Sequence, residues 1–222
     1  MRFVVVRHGE TDWNLNGRMQ GHAPVPLNET GREQADRVGR YLAREYEFDR
    51  VVSSDLLRTR ETTARIREHV GEVPVEFDPA WRERDLGVYQ GLSYPDMHER
   101  FPEFGLGEAA VRAAEEVPEN GESLLQVRGR VVSAWESLVE SSADGETTLV
   151  VTHGGPIYLL LGHAKSMDID DALLEHSQSN CGVNEFHHDG RIRLVRENVT
   201  EWDDGEAIDG AFGSADGRAA GE

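Results

Sequence analysis

The chain of 222 residues carries 42 acidic side chains against 23 basic ones, a formal net charge of -19, with 38% hydrophobic residues and one cysteine, Cys181. That is one domain of ordinary size with enough apolar content for a core; no apolar run approaches the roughly 20 residues of a membrane span, a single thiol excludes an internal disulfide framework or thiolate zinc cluster, and the acidity argues against a nucleic-acid partner. Arginine supplies 22 of the 23 cations and Lys165 the other; an acid excess with so little lysine suits a halophile's protein in concentrated salt, whereas a high-GC genome explains the lysine loss but not the charge.

Phe3–Val6 reads as a buried strand that meets charge at Arg7, without the longer apolar stretch and cleavage site of a secretory leader, so a cytoplasmic location is expected. A loop runs on to Asn28, and Thr30 with Glu33 predicts a capping box opening a helix whose apolar face is Ala35, Val38 and Leu42. A short strand over 50–53 and a helix capped by Asp55, with Leu56, Thr59, Thr63, Ile66 and Val70 at helical spacing, repeat the unit. After the run Val73–Phe77 and a loop over 81–91, residues 93–122 hold eight acids against Arg100 and Arg112 and read as an irregular cap insertion. Ser123 and Gln126 form a second capping box before a helix with Leu124, Val127, Val131, Trp135 and Leu138 on one face. A strand over 147–151 leads through His153 and Gly154 to a helix with Pro156 in its first turn, and Val183–Phe186 with Ile192–Val195 predicts an antiparallel hairpin around Asp189 and Gly190. Residues 203–222, with five Gly, five Ala and six acids against Arg218, predict a disordered acidic tail. The pattern predicts an α/β fold over 1–202, a three-layer sandwich with a mostly parallel central sheet and helices on both faces.

In such a sheet ligands bind beyond the carboxyl ends of the strands. Three predicted strands put chemistry there: Arg7, His8, Gly9, Glu10 and Thr11 after the first, Ser53, Ser54, Asp55 and then Arg58 after the second, His153 with Gly154 after the later one. Two histidines and two arginines at one edge describe an oxyanion pocket, because guanidinium forks grip phosphate oxygens in pairs and helix N-termini add amide donors.

These residues carry a resemblance. Residues 7–14 (Arg7, His8, Gly9, Glu10, Thr11, Asp12, Trp13, Asn14) resemble the signature of the histidine phosphatase superfamily, the phosphoglycerate mutase-like fold. Arg18, Gln20, Gly21, Pro26, Leu27 and Gly31 follow at the family's spacing. Ser54, Asp55, Leu56, Arg58, Thr59, Thr63 and Ala64 are similar to its second motif, Glu83 with Gly87 and Gly91 to its acid loop, Gly121, Glu122 and Ser123 to its late helix start, and Thr152, His153 and Gly154 to its second histidine motif. The resemblance spans about residues 2–200, with Pro24 as a departure where many relatives carry aspartate. It implies that His8 is the nucleophile and takes the phosphoryl group on a ring nitrogen. His153, Arg7 and Arg58 hold the transferring charge, Asn14, Thr11, Gly21 and Gly154 contact substrate, and Glu83 is first acid and then base. The physics agrees for His8, which attacks only when neutral, and neighbouring Arg7 and Arg58 favour that form.

No metal or other cofactor is implied; His22, His98, His163, His176, His187 and His188 show no ligand spacing and are expected at the surface or satisfied in the core. The expected activity is hydrolysis of a phosphomonoester of a small metabolite. A cofactor-dependent phosphoglycerate mutase is the alternative: Glu83, Arg84, Gln90 and Gly91 look somewhat like its acid loop, but Leu86 stands where mutases typically carry tyrosine, and the acidic insertion disfavours a small, highly anionic substrate. A non-catalytic phospho-ligand binder ranks last, since His8, His153 and Glu83 are all present.

Overall fold

The computed structural model describes residues 1–101 and 114–202; residues 102–113 of the expected insertion and the predicted tail 203–222 lie outside the described residues. Strand β1 (Arg2–Arg7) contains three consecutive valines, a β-branched run that packs well on a pleated surface. Its side chains alternate between two cores. Phe3 and Val5 join one cluster, Val4 and Val6 the other, so β1 is buried on both sides, as a central strand under two helical layers must be.

The remaining elements follow in chain order as helices α1 (Asp12–Leu15) and α2 (Glu29–Glu45), strand β2 (Arg50–Ser53), helix α3 (Leu57–Val70), strand β3 (Val75–Phe77), helices α4 (Tyr94–Arg100) and α5 (Leu124–Ser141), strand β4 (Thr147–Thr152), helices α6 (Gly154–Lys165) and α7 (Ile169–Leu174), and strands β5 (Val183–His188) and β6 (Ile192–Val199). Among the described residues the strands form one sheet in the order β3-β2-β4-β1-β5-β6. β1, β4, β2 and β3 are parallel, while β5 runs antiparallel to β1 and β6 antiparallel to β5. Ala35, Val38, Leu42 and Ile66 of α2 and α3 cover one face. Val127, Val131, Trp135 and Leu138 of α5, with Ile157, Leu160 and Leu161 of α6, cover the other. The loops after β1 and β4 therefore leave toward opposite faces, and a crevice opens where these adjacent strands end.

The local expectations divide at the helix starts. Ser123 and Gln126 form the predicted capping box, but α2 is capped by Asn28, whose side chain accepts from the Gly31 amide, not by Thr30. Asp55 does not cap α3; the cap is Leu56, without a side-chain bond, and the Asp55 carboxylate is taken instead by Arg82. Part of the stretch read as irregular is the helix α4, capped by Ser93. The loop after β1 contains α1, closed by a capping box of Thr11 and Asn14.

Candidate active site

The carboxyl ends of β1, β2 and β4 bring His8, Arg58 and His153 into contact. Arg58 is 1% exposed, and its Nε lies 3.2 Å from both His8 Nε2 and His153 Nδ1. One N–H shared by two ring nitrogens needs a lone pair on each, and the opposite nitrogens agree. His8 Nδ1 is 2.7 Å from the Gly9 carbonyl, which only accepts, so the hydrogen of His8 sits there. His153 Nε2 is 2.8 Å from Ser54 Oγ and donates to it. Both rings are thus neutral in this arrangement, with centroids 5.2 Å apart. Burial holds both imidazoles well below the usual histidine range, and the charges of Arg58 and Arg7 push the same way.

Arg58 is itself fixed by main chain: Nη2 donates to the Gly21 carbonyl at 2.9 Å and Nη1 to that of Ala23 at 3.4 Å. Burial lowers its guanidinium to about 10, still charged near neutrality. Arg7 donates through Nη1 to the Gln178 carbonyl, while its buried Nε has no hydrogen-bond partner among the described residues and lies beside Gly154. An unspent charged donor next to the opening of α6 is what an anion would satisfy.

Glu83 approaches from the segment after β3. Its carboxylate accepts from the Arg84 amide at 2.9 Å and from the Gly155 amide, in the first turn of α6, at 3.2 Å. A side chain at position 155 would put a Cβ 2.1 Å from Glu83 Oε1, so glycine there makes room for the carboxylate. Behind it, Arg130 of α5 donates to the carbonyls of Ala80, Arg82 and Glu83 and pairs with Glu122. Burial raises the phenols of Tyr94, to about 12, and of Tyr158, and both feel the charges of Arg7 and Glu83.

The remaining expected residues fall nearby. Thr11 Oγ1 lies 3.0 Å from Asn14 Oδ1 and 3.1 Å from Gln20 Oε1 and caps the Asn14 amide. These bonds let Thr11 fix Asn14. Gly21 offers its carbonyl to Arg58, and Gly154 supplies the first amide of α6, one without an acceptor in its own helix. Sequence reasoning gave His22 no role in the site and passed over Arg130 and Asn180, whose side-chain amide donates to the His8 carbonyl at 3.0 Å. Among the described residues no group of three histidine, cysteine, aspartate or glutamate side chains is arranged to hold a metal ion, and no helix is long and apolar enough to cross a membrane.

Two neutral imidazoles around a buried guanidinium, at the carboxyl ends of a parallel sheet, define an α/β protein built to receive an oxyanion. Residues 3–200 match the Histidine phosphatase superfamily (branch 1), and the chain belongs to that superfamily. It is 41% identical over 162 residues to phosphoglycerate mutase-like protein 4 of Arabidopsis thaliana, covering 73% of this chain and 70% of the relative. It is 31% identical over 220 residues to the broad-specificity phosphatase YOR283W of Saccharomyces cerevisiae, covering 94% and 90%. Among solved structures, mycobacterial glucosyl-3-phosphoglycerate phosphatase Rv2419c in complex with VO3 superposes with a TM-score of 0.76 at 30% identity, covering 90% of this chain and 99% of that one.

Proposed function

We propose that the protein is a phosphomonoester hydrolase that acts on a small phosphorylated metabolite through a phosphohistidine on His8. One observation carries the reading: His8 Nε2 is a buried, unprotonated nitrogen, oriented by the Nδ1 bond to Gly9 and held 3.2 Å from Arg58 Nε. When a phosphoryl group enters, the Arg58 N–H has a better acceptor in a phosphate oxygen, and transferring it there releases the Nε2 lone pair for attack. Nε2 bonds to phosphorus as the bond to the leaving oxygen breaks, and protonated Glu83 gives that oxygen its proton. The Glu83 carboxylate then takes a proton from water as the water oxygen attacks phosphorus. The P–N bond breaks, phosphate leaves and neutral His8 is restored. Arg7 and Arg58 hold the equatorial oxygens, and His153 joins them with its hydrogen on Nδ1 once Ser54 Oγ turns to donate to Nε2; the Gly154 amide and Asn14 donate around them, and Gly21 acts through Arg58.

The relatives support hydrolysis without a metal: a metal-independent phosphoserine phosphatase of Arabidopsis thaliana is 37% identical over 166 residues, covering 73% of this chain. The second reading, mutase, draws on relatives such as the 2,3-bisphosphoglycerate-dependent phosphoglycerate mutase of Cytophaga hutchinsonii, 34% identical over 170 residues. Against it stand the acids of 93–122, which repel a substrate bearing both phosphate and carboxylate. We assign the catalytic domain to 1–202 and the acidic segment 203–222 to a tail, and we place the protein in the cytoplasm of a halophile on its charge and near absence of lysine.

Phosphate release from a panel of phosphomonoesters in concentrated KCl tests the proposal, with mutase turnover measured beside it with and without bisphosphoglycerate. Hydrolysis is expected to dominate and His8→Ala to abolish it; mutase turnover far above hydrolysis, or wild-type hydrolysis by His8→Ala, decides against the reading.

A further inference from the structure

The tripeptide Gly21–His22–Ala23 faces two ways. Its carbonyls at 21 and 23 hold the guanidinium of Arg58, while the side chain between them reaches the acid loop. His22 Nε2 lies 2.8 Å from the main-chain carbonyl of Glu83, and Nδ1 lies 3.3 Å from the Asp85 carboxylate. The carbonyl only accepts, so the hydrogen of His22 sits on Nε2. The side chain is 23% exposed, sheltered enough for this bond to hold a fixed geometry. Gly21 lets the two segments close up: it has φ of 50°, and a Cβ there would lie 3.0 Å from the Leu86 amide nitrogen.

We propose that His22 is a positioning residue, setting the carboxyl of Glu83 at a fixed reach from the oxyanion pocket by tying the acid loop to the strap that holds Arg58. The inference rests on the phosphatase reading and deepens it. Arg130 holds the same loop from behind, through the carbonyls of Ala80, Arg82 and Glu83, and so anchors it to α5. His22 supplies what Arg130 does not, a link to the part of the site that grips phosphate. Losing it leaves the loop folded but free to drift against the pocket, and drift of about 1 Å is enough to cost a proton transfer up to 10²-fold.

The test uses the leaving group. An alkyl phosphate such as glycerol phosphate departs as an alkoxide that needs a proton, whereas 2,4-dinitrophenyl phosphate departs as a stable phenolate that does not. Comparing kcat/KM isolates the step up to leaving-group departure. His22→Leu is expected to lower kcat/KM for glycerol phosphate by about 10- to 100-fold and for the dinitrophenyl ester by less than about 3-fold. Inhibition by inorganic vanadate is expected to stay within about 2-fold, because the phosphate grip is intact. An equal loss on both esters, or no loss, overturns the proposal.

His22→Gln and His22→Asn keep the test decisive if the leucine variant folds poorly. Glutamine carries an amide to the Nε2 position and reaches the Glu83 carbonyl, so it is expected to restore most of the glycerol phosphate rate; asparagine is too short and is not. Equal rates for the two count against the idea. Glu83→Gln must show the same leaving-group pattern, only larger. Its failure to do so removes the acid assignment itself, and hydrolysis by His8→Ala removes the phosphatase reading, so neither is confused with failure of the His22 link.

Discussion

Gly155 shows how a single side chain decides the position of the acid. The Cβ of alanine there would stand 2.1 Å from Glu83 Oε1 and 3.1 Å from its Cδ. The obstacle is the far end of a flexible side chain, so the fold can absorb the change but the carboxylate must move. Gly155→Ala is expected to lower kcat/KM about 10²-fold with a melting temperature within about 2 °C of wild type; calorimetry beside steady-state kinetics checks both halves. At this scale the residues that line the pocket were legible, because His8, Arg58, Glu83 and His153 follow predicted strands or lie in recognisable motifs. Their supports were not. His22 and Arg130 act on main-chain carbonyls of residues 61 and 47 positions away, and a carbonyl is the same at every position, so no local pattern marks its donor.

The loop after β1 and the first turn of α2 are built against each other. A Cβ on Gly31 would lie 2.0 Å from the Glu10 carbonyl oxygen and 2.6 Å from its amide nitrogen, and one on Gly9 would lie 2.4 Å from the Gly31 oxygen. These obstacles are backbone and cannot swing aside. Replacing a helical glycine by alanine ordinarily gains up to about 1 kcal/mol, but here Gly31→Ala is expected to cost about 1–3 kcal/mol as overpacking. Urea denaturation with an unchanged m-value measures it, and a stabilised variant would refute the close docking. Periodicity found the long helices because each buries a stripe against the sheet. It missed α1 and α7, of four and six residues, since one turn or so shows no period. Capping went astray where side chains had stronger partners elsewhere, as Asp55 has in Arg82.

Taken whole, the molecule combines a charge of -19 with a cationic pocket. Self-repulsion among exposed carboxylates weakens as the Debye length falls from about 10 Å at 0.1 M salt to about 3 Å at 1 M. The melting temperature is therefore expected to rise by about 5 °C or more over that range of KCl, and a flat or falling curve would remove the charge-repulsion argument. pH acts through the buried histidines. Unfolded, each binds a proton near pH 6.5, whereas burial and Arg58 keep His8 and His153 neutral to lower pH in the fold. The unfolded state then binds more protons, so the stability these residues contribute is full above pH 6.5 and drains away as pH falls below it. Each contributes a slope of up to about 1.4 kcal/mol per pH unit. His8→Asn is expected to flatten that slope in chemical denaturation measured from pH 7 downward; an unchanged slope would contradict the neutral, buried state.

The register of β1 also sets when the site can exist. Arg2 pairs with Thr147 on one side and His187 on the other, and the His8 main chain is tied to Thr152 and Asn180. The strand that carries His8 must close two of the longest loops in the chain to gain its neighbours on both sides. Contacts so distant in sequence slow folding, so enzymatic activity should be among the last properties to return on dilution from denaturant, behind helical signal. A segment ending before β5 can hold every motif of the site and still lack the strand that locks it.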